Sequence, residues 1–151
     1  MPSQSSRALV RAARIRIGLL AVLMLGLVGT GTELILLQHY EEPWQYAPVV
    51  LIPAAIGVLI WHAAGRSATS RVTTKVLMVA FLIAGVLGIG LHFRGAAAFQ
   101  RETNPSIGRW ELVTRALKAK APPVLAAGTM LELGLLGLLY LVFDGEGGIH
   151  A

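Results

Sequence analysis

The sequence predicts an all-α integral membrane protein: a four-transmembrane-helix bundle with one short amphipathic interfacial helix between helices three and four. Three observations carry this reading. Only 14% of the 151 residues are charged and 55% are hydrophobic, whereas a soluble domain carries about 25% charge; mean hydropathy is +0.67. Apolar runs cover residues 17–37, 47–64, 76–93 and 124–143, each close to the ~20 residues that span ~30 Å of hydrocarbon. The basic residues flank these runs instead of interrupting them, as orientation in a bilayer requires. The net charge of +5 is therefore explained without nucleic acid, which is not expected as a partner.

Residues 1–16 form a basic N-terminal tail with Arg7, Arg11, Arg14 and Arg16. The run that follows is too long for a signal-peptide core and lacks an A-x-A-like cleavage site. It reads as a retained first helix, with a cleaved signal as the alternative. A polar loop, Gln38 to Tyr46, contains His39, Tyr40, Glu41 and Glu42. In helix two, Pro48 fits the first turn, while Pro53 lies inside and should kink it. A short basic link then leads to helix three.

The connection from Arg94 to Ala121 is long. Its Asn104-Pro105-Ser106 reads as a helix start. Ile107, Trp110, Val113 and Leu117 then trace one face of an interfacial helix over residues 105–118, with Trp110 at headgroup level. Pro122-Pro123 restarts the chain into helix four, and residues 144–151 read as a short mobile C-terminal tail. Four arginines ahead of the first helix favour both termini on the cytoplasmic side of the cell (inner) membrane. That orientation puts the His39 loop and the interfacial helix outside.

Two sets of polar residues are candidates for function. Glu33 lies roughly 6–9 Å below the outer surface at 1.5 Å per residue, and Glu132 lies near the midplane. Ionisable groups at such depths should face the bundle interior. Gly26, Gly29 and Gly128, which sit near them in sequence, suggest close helix approach there. The pair is either a proton- or cation-carrying site or two neutral, hydrogen-bonded acids. His39 and His92 end helices one and three on the outer side. They are either axial ligands of haem b, or ligands of a divalent metal with Glu41 and Glu42, or plain interfacial histidines. His62 lacks a partner at its depth and reads as interfacial; His150, in the tail, is uninformative.

There is no cysteine, which excludes thiolate sites, and no phosphate loop, HExxH or serine elbow. With no catalytic motif, an enzyme is not the favoured reading. The first expectation is a non-catalytic subunit or assembly partner of a larger membrane complex, packed in lipid against other subunits or its own copies. A haem or metal electron-transfer protein (His39, His92) and a proton- or cation-coupled carrier (Glu33, Glu132) are the alternatives.

Overall fold

The computed structural model describes residues 4–38, 42–119 and 127–145, and among these no strand occurs. The helices are α1 (Gln4–Leu36), α2 (Tyr46–Gly65), α3 (Ala68–Thr103), α4 (Arg109–Leu117) and α5 (Gly128–Gly145), with a 3-10 turn at Pro43–Gln45. Three stretches, Ser6–Leu36, Pro43–Gly65 and Ala68–Thr103, are long and apolar enough to cross a membrane. Helix α5 packs against α3 and α1, while α2 bridges α1 and α3, so the four long helices close a ring. Leu23, Leu27, Ile52, Leu59, Met78, Phe81, Leu133 and Tyr140 fill its centre.

Two helices outrun their apolar segments. Helix α1 begins at Gln4 rather than residue 17, because the residues between are rich in Ala and Arg, both good helix formers, and include no Gly or Pro. Helix α3 runs from Ala68 to Thr103, about 54 Å, which is longer than the ~30 Å of hydrocarbon a crossing helix must span. Ser67 starts α3 by accepting a hydrogen bond from the Ser70 N–H at 3.1 Å. Asn104-Pro105, expected to start the interfacial helix, instead ends α3. Proline disfavours the helical conformation at the residue before it, and Asn104 sits at φ −140°, ψ 88° as the C-cap.

Helix α4 then begins at Arg109 behind Gly108. It folds back on the end of α3, burying Leu112 and Ala116 against Ala96 and Ala97. Of the expected stripe, Trp110 is 79% exposed and Leu117 49%, while Ile107 packs partly against the α3–α4 cluster. The face that packs inward is the one set by Leu112 and Ala116, four residues apart. The outward Trp110–Leu117 face is left for the membrane surface or a partner.

Glycines set the closest contacts in the ring. A Cβ added at Gly85 would come within 2.7 Å of the Leu131 Cγ and 2.9 Å of its backbone nitrogen. At Gly134 it would meet the Met78 carbonyl oxygen at 2.9 Å. These positions bring the α3 and α5 backbones together, as small residues do in membrane helix pairs.

Candidate functional site

At the end of the ring where α1 enters and α5 finishes, four helices contribute to one polar cluster. Asp144, in the last turn of α5, accepts from the Arg16 guanidinium of α1 at 3.2 Å. Its second oxygen lies 3.1 Å from His62 Nε2, at the end of α2. Arg66 approaches at 3.9 Å from the left-handed residue that terminates α2 (φ 43°). His62 Nδ1 is 2.8 Å from the Ser70 hydroxyl at the start of α3. Arg71 donates to the Leu141 carbonyl at 3.1 Å. The Tyr140 ring meets the imidazole edge-on, 5.9 Å between centroids.

The centre of the cluster is shielded and paired, with Arg66 half-exposed at its edge. The His62 residue is 1% exposed and Ser70 0%; the Asp144 side chain is 6% exposed and that of Arg16 12%. An acid at a helix C-terminus opposes the helix dipole, so Asp144 depends on the cations around it. Proton bookkeeping allows two states of the ring. With Asp144 ionised, Nε2 carries a proton, and a neutral His62 accepts from the Ser70 hydroxyl at Nδ1. In the imidazolium both nitrogens donate, and the Ser70 hydroxyl turns to the Ser67 carbonyl at 2.9 Å. Among the described residues no buried side-chain polar atom lacks a partner. Serine, histidine and aspartate in a row suggest acyl transfer. Here, however, the serine has no accessible surface for a substrate to reach. The array works as a four-helix clasp.

The two carboxylates of the apolar runs, Glu33 and Glu132, lie elsewhere, and their expected facing is corrected. Glu33 and Glu132 both point away from the ring. No hydrogen bond or ion pair joins either side chain to another described residue. The inward positions of α5 are taken by Met130, Leu133, Gly134, Gly137, Tyr140 and Leu141, which leaves Glu132 outside. The small-residue guide misled for a simple reason. Gly26 packs inward, where a Cβ would lie 2.7 Å from the Leu133 Cδ2, but Gly29 and Gly128 face open space. The Gly26–Leu133 contact sets Glu132 level with Leu27 on α1. Glu33, six residues farther along, is therefore about 9 Å away along the axis. The two acids do not form one site.

Of the proposed haem or metal ligands, His39 and Glu41 lie outside the described residues. Glu42 is exposed at the entry to the 3-10 turn, where its N–H donates to Gln45 Oε1 at 3.0 Å. His92 is half-buried, one turn past Gly88, on the stripe by which α3 packs against α5. Among the described residues no group of three His, Asp or Glu is placed to hold a metal.

Sequence reasoning missed the clasp altogether. His62 was expected to lack a partner, Arg16 to serve only orientation, and Asp144 to belong to a mobile tail; His62 and Asp144 instead meet inside the protein. One signal was available: a histidine in the last turn of helix two, an arginine before helix one and an acid after helix four all fall at the same end of their helices. Comparison with known protein families, with characterised proteins and with solved structures finds no match for this chain. Function must be argued from the geometry alone.

Proposed function

We propose that this chain is an inner-membrane protein that crosses the bilayer four times, with α5 as the fourth crossing and both termini cytoplasmic. In that setting it serves as a non-catalytic subunit or assembly partner of a larger membrane complex. One observation carries the reading: Glu132, in the middle of an apolar helix, faces outward with no partner among the described residues. A carboxylate at the centre of a bilayer costs at least about 2.5–3.5 kcal/mol, so a lone chain in lipid is an unfavourable resting state. Contact with another protein removes that cost. The tightly paired polar clasp supports the same reading, because its groups are used in holding helices together.

The test is the size of the protein in mild detergent. The 16.0 kDa chain should migrate within a larger assembly of fixed stoichiometry after extraction from its native membrane. Recovery solely as a monomer, with no protein co-purifying, would overturn the proposal.

A further inference from the structure

The outward face of α5 has a pattern of its own. Glu132, Leu135, Leu139 and Val142 follow one another at spacings of three, four and three residues, which places them along one side of the helix. The three apolar members are 59%, 45% and 55% exposed, so nothing among the described residues covers them. Such a row is the seam by which membrane helices pack side by side at a shallow crossing angle. One carboxylate sits at its end.

Two independent registers fix the depth of that carboxylate. Gly26 of α1 lies against Leu133, which sets Glu132 opposite residue 27, the centre of the apolar run 17–37. Gly85 of α3 lies against Leu131, which sets Glu132 opposite residue 84, the centre of the run 76–93. Both place Glu132 at mid-bilayer. There it demands a cation or a proton, since hydrocarbon supplies no solvation.

A second copy of this chain offers no such cation. Arg16 and Arg71 lie beside Asp144 and Leu141, at the end of the ring. Lys75 is one turn from Arg71 on the same helix, and Arg66 belongs to the same end. Arg94 stands at the opposite end of the apolar run of α3. Helix α5 itself contains no basic residue. Two copies meeting through this face would set glutamate against glutamate or against apolar side chains.

We infer that the Glu132–Leu135–Leu139–Val142 face of α5 docks a transmembrane helix of a different protein, one that carries a lysine or arginine at mid-bilayer depth. The inference rests on the subunit reading and adds the surface and the partner's chemistry. Two charges of opposite sign attract far more strongly in a low-dielectric medium than in water, and a Leu/Val row supplies the close packing around them.

The full chain, reconstituted in phosphatidylcholine vesicles, would be titrated with a synthetic leucine-rich helix of about 20 residues. One version of the helix carries a central lysine and a control carries leucine, with association read by energy transfer. The lysine helix should bind about tenfold more tightly than the control. That preference should vanish in Glu132→Gln and persist in Glu33→Gln. Because Glu132 faces outward, Glu132→Gln should keep the wild-type helix content and melting temperature, which separates lost docking from lost folding. Equal binding of the two helices, or a lysine preference that survives Glu132→Gln, overturns the inference. So does energy transfer between copies of the chain that disappears in Glu132→Gln, which would make a second copy the occupant. Assembly size in native membranes separates the two claims. If Glu132→Gln still enters the larger assembly, the seam is wrong and the subunit reading stands. If the wild type is found alone, the subunit reading itself fails.

Discussion

At the scale of single residues, the two buried-depth acids Asp144 and Glu132 should respond oppositely to mutation. Asp144 accepts from Arg16 and His62 in a buried cluster. Removing one partner of a buried ion pair strands the other and costs about 3–5 kcal/mol. Asp144→Ala should therefore lower the detergent melting temperature sharply, with Arg16→Ala close behind; a melting temperature within a degree or two of wild type would mean the clasp contributes nothing. Glu132 has no described partner and faces outward. Glu132→Leu should stabilise the isolated chain in vesicles, by about the 2.5–3.5 kcal/mol that a central acid costs, as read by reversible unfolding. A loss of stability would show that Glu132 is held inside the fold. The same type of residue at two places thus separates a structural acid from an interaction acid.

At the scale of elements, the glycines divide in the same way. Gly85→Ala would press a Cβ against the Leu131 backbone. Spreading α3 from α5 should cost about 1–3 kcal/mol by overpacking. Gly29→Ala meets nothing within 4 Å and should be neutral or slightly stabilising through helix propensity. Parallel melting curves of the two variants would check the contrast; equal losses would contradict the packing. Helix α4 offers a separable test. Leu112→Asp should release α4 from α3 and raise amide exchange across residues 109–117, while exchange in the ring stays unchanged.

Much of this scale was legible in the sequence. Apolar runs located the helices because hydrocarbon length and helical rise leave little choice. Their ends were not legible. Alanine and arginine extend α1 as readily as they form a tail, and Asn104-Pro105 serves equally to stop one helix or start another. The inward face of α4 was also hidden, because its Ile107–Trp110–Val113–Leu117 stripe competes with the shorter Leu112–Ala116 pair. The clasp was hidden for a deeper reason. Its members lie 82 residues apart in the case of His62 and Asp144 and 128 in the case of Arg16 and Asp144, and their depths match only once the helices are packed. For Glu33 and Glu132, helical rotation decided the facing, and no local pattern encodes it.

At the scale of the whole molecule, the orientation is open to a direct test because the chain has no cysteine of its own. Ser106→Cys should react with a membrane-impermeant maleimide in intact cells, and Ala68→Cys only after permeabilisation. The reverse pattern would invert the topology, and labelling of both from one side would remove α3 as a crossing. The position of Asp144 bears also on how the molecule is made. Helix α5 is made after the three helices it closes upon, and its acid occupies the final turn of that helix. Until then Arg16 on α1 and His62 and Arg66 at the end of α2 wait without the carboxylate that joins them. A nascent chain cut short by even a few residues before Asp144 would insert yet never lock, leaving unsatisfied cations for the cell's proteases to find. Closure of the ring thus waits on the final turn of α5, however complete the helices before it are.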